Sequence, residues 1–402
     1  MKSLAALFRY GPGPASSHTI APYAAARRFA SLIKGNEPVE VTFYGSLAYT
    51  YRGHHSDVAV KKALDGHPLT IEIDTKTTPP HPLTMKFVAG DLTYVYYSKG
   101  GGEIASPTDP EVNEEEVYPF ATYGEFVSAY LSSGAHGIPE FCRGYEKGNI
   151  DAYLTEILEA MFTAVKRGIS TLGPIPANDN PRLHLHRSAR DIYQQAESIP
   201  QGQGKRELYL TAYAYGVSEG SACGEEVVTA PTCGSSGVLP AVLYYLYRHQ
   251  GVPFETCKDA LYLAGMIGNT VKQNASIAGS VGGCQAEIGT ATSMAAAAIA
   301  YCNHLTLHQM EYGAEVAMEH FLGLSCDPVD GYVVIPCIER NGVGAIRAYD
   351  SYLYAKYIEP IRKNQVSFDD VVTAMKITGD SLDAKYKETS LGGLAEILKD
   401  KR

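Results

Sequence analysis

Several absences bound what this 402-residue sequence can do. A basic excess is missing: 34 Lys and Arg stand against 44 Asp and Glu, for a formal net charge of -10. Nucleic acid and anionic membrane surfaces both need a basic face to offset phosphate, so small molecules are the better class of partner. A basic recognition helix is missing too, which removes support for a DNA-binding regulator. No stretch approaches the roughly 18 apolar residues of a membrane span. The alanine-rich run Met294–Ala300 is short, and the apolar start of MKSLAALFRYGPGP is far too short for a secretory signal. A cytoplasmic chain without membrane contact is expected. The sequence has no internal repeat and no low-complexity tract. Charged residues make up 19% against 45% hydrophobic, the balance of a chain that folds. At roughly 150 residues per domain, the length suggests two domains.

The eight cysteines include no C-x-x-C pair, so the zinc-ribbon and bacterial-ferredoxin spacings are absent. A disulfide framework is not expected in a cytosolic chain of this size, and most of the thiols read as buried and inert.

What is present falls into two halves. From Val39 to Ser98 the chain is rich in Val, Ile, Thr and Tyr. VEVTFYGSLAYTY, LTIEID, LTMKFV and LTYVYYS read as strands, the last two joined by a turn at Ala89-Gly90-Asp91. Helical patterns fall at about 17–33 and 57–65, and ASPTDPEVNEEEVYP reads as a solvated loop. Beyond about residue 145 the patterns are mostly helical, over 151–168, 206–219, 239–250, 257–273, 288–305, 344–358 and 368–382. The expected fold is an α+β N-terminal domain over 1–146 followed by a mainly α-helical catalytic domain over 147–402.

The strongest local feature is GSVGGCQAEIG, where Cys284 opens a helical run and its thiolate would be favoured by the helix dipole and free N–H groups. Cys326 lies 42 residues on, and Cys337 another 11, each beside a proline. By spacing alone these three are better explained as buried thiols. Ser16, Ser17, His18 and Thr19 precede a helical pattern and could cap it or hold a carboxylate. His54 and His55 offer proton transfer near neutral pH or a surface pair. Ser98 starts the glycine-rich SKGGG loop, and Thr232 lies in a VTAPTCGSSG turn able to face an anion. That turn, GSVGG and Lys272 together could also imitate the phosphate cradle and Schiff-base lysine of a pyridoxal-phosphate lyase.

Taken in order, GPGPASSHTIAP, YGSLAYTYRGHHSD, VTAPTCGSSGVLPAVL, NASIAGSVGGCQAEIG, CDPVDGYVVIPCIERN and AKYKETSLGGLA resemble segments of the bacterial oxygen-sensitive iron–sulfur L-serine dehydratases, over Gly11 to Ala395. The resemblance implies a small α+β domain, elsewhere a separate subunit, joined to a helical catalytic domain and assembled as a homodimer. It implies a [4Fe–4S] cluster held by Cys284, Cys326 and Cys337, whose open iron acts as a Lewis acid on the hydroxyl and carboxylate of L-serine. On the same ground His55 is the expected base at Cα, with His18 beside it. Ser16, Ser17, Thr19, Ser98 and Thr232 are the expected substrate contacts, and loss of water leads to pyruvate and ammonia. Cys142, Cys257 and Cys302 are left as core residues.

The chain departs from the family pattern in three places. It ends AEILKDKR without the cysteine that single-chain relatives commonly carry there, so no self-ligation is expected. Cys223 and Cys233 stand where many relatives have other residues, and either could approach the cluster. The rival readings are a dehydratase or desulfidase acting on threonine or cysteine, the pyridoxal-phosphate lyase, and a non-catalytic amino-acid or redox sensor.

Overall fold

The computed structural model describes residues 1–175, 183, 185–202 and 204–399. Seven strands lie among them: β1 (Tyr10–Pro12), β2 (Val39–Tyr44), β3 (Leu69–Asp74), β4 (Thr84–Ala89), β5 (Leu92–Gly100), β6 (Glu103–Ala105) and β7 (Glu226–Val228). Five form a sheet in the order β3-β2-β4-β5-β6, in which β2 and β3 run parallel and the other neighbours antiparallel. The expected turn between β4 and β5 is a two-residue connection, with Ala89 opposite Leu92 and Gly90 at φ 54, in the left-handed region that glycine enters at little cost. One face of the sheet, including Val41, Phe43, Met85 and Phe87, buries against Ala25, Ala26 and Phe29 of helix Ala21–Ala30 and Val60 of helix Ser56–Ala63. Each of these large side chains contributes about 1.5–3 kcal/mol on leaving water.

The strand reading of VEVTFYGSLAYTY is right only in its first half. Gly45 at φ 57 ends β2, and Ser46–Thr50 is a short helix with Leu47 and Ala48 buried. A run of β-prone residues cannot reveal that a glycine in the left-handed region reverses the chain. The acidic loop is not fully solvated either. Asp109 is buried and pairs with Arg28 at 2.8 Å.

The second half is helical as expected, with helices Ile150–Gly168, Lys205–Ala222, Val238–His249, Phe254–Asn274, Thr290–Cys302, Cys337–Leu353 and Phe368–Ser381. Helix Thr290–Cys302 is buried on nearly every side, which explains its alanines: small side chains let its neighbours approach closely. Helices Ile150–Gly168 and Lys205–Ala222 cross at Gly168 and Gly216, where a Cβ on Gly168 would lie 2.3 Å from the Gly216 backbone. Tyr123–Ser133, Ala189–Ser198 and Leu307–Glu319 are the longest helices that escaped the sequence reading, the last opened by a Thr306–Gln309 capping box.

The helical core takes in more of the chain than its second half. Met1, Leu4, Leu7 and Phe8, and then Tyr118, Phe126 and Phe141, pack within it and not against the sheet. β1 pairs antiparallel with β7, so the chain is fastened to the helical body immediately before the SSHT segment.

Candidate active site

That β1–β7 ribbon places the first wall of the site. Gly13 donates its N–H to the Glu225 carbonyl at 3.0 Å, and a Cβ there would sit 2.2 Å from the Ser221 carbonyl oxygen. The chain then turns through one π-helical turn, Ser16–Ile20, whose residues are all buried. Thr19 Oγ1 accepts from the Ala15 N–H and donates to the His54 carbonyl at 2.6 Å, so its hydroxyl shapes the turn. Ser17 Oγ and His18 Nδ1 are 2.8 Å apart, and His18 Nε2 and Ser46 Oγ 3.0 Å. Ser56 Oγ donates to the His18 carbonyl, which ties the GHHSD segment to the same turn.

Of the two adjacent histidines, His54 is the one that stacks on His18, with ring centroids 4.5 Å apart. Burial pushes its pKa down to about 4, the Thr50 carbonyl partly offsetting, and neither ring nitrogen has a well-formed hydrogen bond among the described residues. His18 is pushed well below the ordinary histidine value, again by burial and then by His54. Both rings are therefore neutral at pH 7. His55 is half-buried at the start of helix Ser56–Ala63, with φ 55. Sequence adjacency could not tell which of the two would turn inward.

The opposite wall carries the cysteines. Cys284 precedes a π-helical turn, Gln285–Gly289, Cys337 is the first residue of helix Cys337–Leu353, and Cys326 lies in the loop between. Each is fixed by neighbours able to hydrogen-bond in several directions. Gln285 donates through Nε2 to the Gly282 and Met375 carbonyls and accepts from the Gly323 N–H, locking the Cys284 turn against the end of the preceding loop. Asn341 donates to the Gly234 and Cys337 carbonyls, each at 2.8 Å, and accepts from the Gly237 N–H at 2.9 Å. Cys326 N–H donates to the Tyr386 carbonyl and Glu388 N–H to the Cys326 carbonyl, bringing the KETS segment alongside. Arg340 donates to the Ser325 carbonyl at 2.7 Å and hydrogen-bonds Cys284.

The thiols converge. The Cys326 thiol hydrogen-bonds Cys284, which lowers the pKa of Cys284 despite burial, with Arg340 assisting. Cys326 is held well above the ordinary thiol value by that same bond, and Cys337 by burial. Cys326 and Cys337 line one cavity with Ser16, Ser17, Glu287 and Glu388, so both walls meet there. Three clustered soft donors, two lining the cavity and Cys284 against Cys326, fit an iron–sulfur centre.

Two site residues were not anticipated. Glu287 is half-buried, accepts from Thr232 Oγ1 at 2.7 Å, and is raised in pKa by loss of water around its carboxylate. Glu388, at φ 58, is pushed up to about 8 by burial and by Glu287, and offers an oxygen within 4.8 Å of donor atoms of both His18 and His54. Both lie inside motifs quoted above, but nothing in the sequence signals that their carboxylates turn toward the site. Ser98 ends up fully buried near the end of β5 with no hydrogen-bond partner for its hydroxyl among the described residues.

Cys233 is buried beside Glu287, whereas Cys223 lies against Arg187. Cys142, Cys257 and Cys302 are buried in the helical core. Lys272 pairs with Glu103 at 2.8 Å and lines a different cavity from the cysteines, so the residues a pyridoxal-phosphate reading needs do not meet.

Comparison with known proteins agrees with this geometry. Residues 3–80 match the serine dehydratase beta chain family, and residues 59–395 the serine dehydratase alpha chain family. The chain is 36% identical to an L-serine dehydratase of Helicobacter pylori, with 99% of each chain covered. It is 37% identical to one of Streptomyces coelicolor, covering 97% of each. Against L-serine dehydratase 1 of Escherichia coli the identity is 33%, over 98% of this chain and 99% of the relative.

Proposed function

The chain belongs to the serine dehydratase family, its alpha and beta chains united in one polypeptide, and from that premise we propose an L-serine dehydratase, a lyase that converts L-serine to pyruvate and ammonia. The observation that carries the reading at the level of chemistry is the cavity itself, where Ser16 and Ser17 meet Cys326 and Cys337, with Cys284 against Cys326 and Glu388 reaching toward His18 and His54. Cys284, Cys326 and Cys337 would hold a [4Fe–4S] cluster, which when bound supplies a Lewis acid for the departing hydroxyl.

The protein's own groups do the rest. Ser16 and Ser17, on the cavity wall, bind and orient the substrate carboxylate through hydroxyl and N–H groups. The Cα proton goes to His54, the neutral imidazole whose nitrogens are uncommitted; the role expected of His55 moves to its neighbour. His18, fixed between Ser17 and Ser46, holds the His54 ring by stacking. Glu388, close enough to both histidines, shuttles the proton onward. Thr232 acts through Glu287, which it anchors. Loss of hydroxide gives aminoacrylate, which tautomerises and hydrolyses to pyruvate and ammonia.

The reading includes a cytoplasmic homodimer. No helix among the described residues is long and apolar enough to cross a membrane. Tyr354, Tyr357 and Ile361, all exposed within eight residues of chain, would suit a subunit contact.

The test is anaerobic reconstitution with iron and sulfide followed by a pyruvate assay on L-serine. The native chain should gain a broad brown absorption and turnover, and Cys284→Ala, Cys326→Ala and Cys337→Ala should each lose both. Turnover of serine by iron-free protein would sink the mechanism. A cluster-loaded chain inert toward serine would sink the function.

A further inference from the structure

A second cavity, of about 290 Å³, plays no part in the reaction above. It opens where the start of the chain, the β5–β6 hairpin and helix Phe254–Asn274 meet, and three lysines line it, Lys2, Lys99 and Lys272. Lys272 is deeply set, and Glu103 Oε2 at 2.8 Å is its only counter-ion within ion-pair distance among the described residues. Lys2 leans on the same Glu103 carboxylate and more distantly on Glu114. Lys99 has no ion pair among the described residues, and Glu116, the other acid lining the cavity, is largely in solvent. Burial pulls the Lys272 ammonium below the ordinary lysine value in spite of Glu103.

Glu103 thus serves two ammonium groups, one of which also reaches Glu114, while Lys99 has no carboxylate within ion-pair distance among the described residues. An ammonium has three N–H donors, and desolvated donors are costly to leave unfilled. A polyatomic oxyanion would supply the missing acceptors and charge, and the volume, slightly below the usual range of drug-sized pockets, suits a small one.

The cavity is also wired to the reaction site. Lys99 leads into Gly100, Gly101 and Gly102, with φ of 93, 61 and 84. A Cβ on Gly101 would come 2.9 Å from Ile277, and one on Gly100 3.4 Å from Ala278, next to Gly279, where a Cβ would reach the Cys326 sulfur at 3.0 Å. A Cβ on Gly102 would come 2.9 Å from Ile20, the last residue of the SSHT turn. One short loop therefore touches supports of both catalytic walls.

We propose that this cavity is an effector site for a small oxyanion, phosphate or dicarboxylate, held by Lys2, Lys99 and Lys272 and coupled to catalysis through the triglycine loop. It lies beyond the catalytic reading and is tested separately from it. Inorganic phosphate and succinate are each titrated calorimetrically into the full-length, cluster-loaded chain, and into cluster-free Cys337→Ala protein so that an anion landing on iron is recognised. One saturable site is expected in both proteins for at least one anion, weakened about tenfold or more by Lys99→Gln and by Lys272→Met, the size of one charge-assisted contact. Lys99 is exposed, so its variant should fold even if the buried one does not. The bound anion should shift KM for serine in native protein and not in Lys99→Gln. Binding of phosphate alone would point to phosphate or a phosphomonoester, and binding of succinate alone to a dicarboxylate. No binding of either up to roughly 10 mM, binding indifferent to both lysines, or binding without any shift in KM overturns the proposal, while anion-free turnover still judges the dehydratase reading.

Discussion

The His54→Gln variant should be both less active and more acid-tolerant, and the second effect has a calculable size. Unfolded, a histidine takes up its proton near pH 6.5; folded, His54 does so only at about 4, because burial penalises the imidazolium. Above pH 6.5 neither state is protonated and the residue contributes nothing. Between 6.5 and 4, unfolding binds one proton that folding excludes, so stability falls as the pH drops, by up to about 1.4 kcal/mol per pH unit. The loss reaches about 2 kcal/mol at pH 5 and levels off near 3 kcal/mol below pH 4. Glutamine does not titrate, so the variant should lack this component and keep that of His18, whose pKa is also lowered. Urea unfolding of the cluster-free chain at pH 7.5, 6 and 5 gives the comparison: the native curve should drop more steeply, by the equivalent of one proton. Equal slopes would mean that His54 titrates normally, and its place as a buried neutral base would be lost. Turnover at pH 7.5 should fall by about two to four orders of magnitude with iron content unchanged, as for removal of a general base.

Other substitutions probe the supports. Asn341→Ala strands the buried Gly237 N–H and frees the Cys337 carbonyl, so it should cost about 1–3 kcal/mol in unfolding free energy and reduce iron retained after gel filtration. Gly13→Ala forces a methyl to within 2.2 Å of the Ser221 carbonyl oxygen, and the resulting shift of the SSHT turn should raise KM for serine while iron loading stays native. Glu388→Gln should load iron normally yet lower kcat and flatten its pH profile near 8, where the native carboxyl titrates.

How much of this was visible in the chain depends on the kind of signal. Helices with an apolar stripe, such as Ile150–Gly168, announce themselves through periodicity, and β4 and β5 through β-prone residues around a glycine turn. Helix Leu307–Glu319 was missed because Glu311, Glu315 and Glu319 break up its apolar pattern, although Glu315 is buried. The cysteines were picked out by resemblance, since spacings of 42 and 11 residues carry no geometric message. His54 and Glu388 owe their positions to a left-handed residue, His55 next to the first and Glu388 itself in the second, and such backbone values at non-glycine positions are invisible in composition.

The site is divided between the two packed bodies, and that division has a physical consequence. His18 and His54 come from segments bordering the sheet, while Glu388 and the three cysteines come from the helical body. A Cβ on Gly53, beside His54, would lie 3.4 Å from the Gly331 carbonyl oxygen, so the GHHSD turn rests directly on the loop between Cys326 and Cys337. The burial that keeps both imidazoles neutral is thus a product of docking, as is closure of the cavity over the thiols. The neutral state of both imidazoles and the cover over the three thiols are made by the same contact. Joining both parts in one chain, with Met1–Phe8 packed into the helical core before β1 pairs with β7, makes that contact intramolecular and independent of subunit concentration.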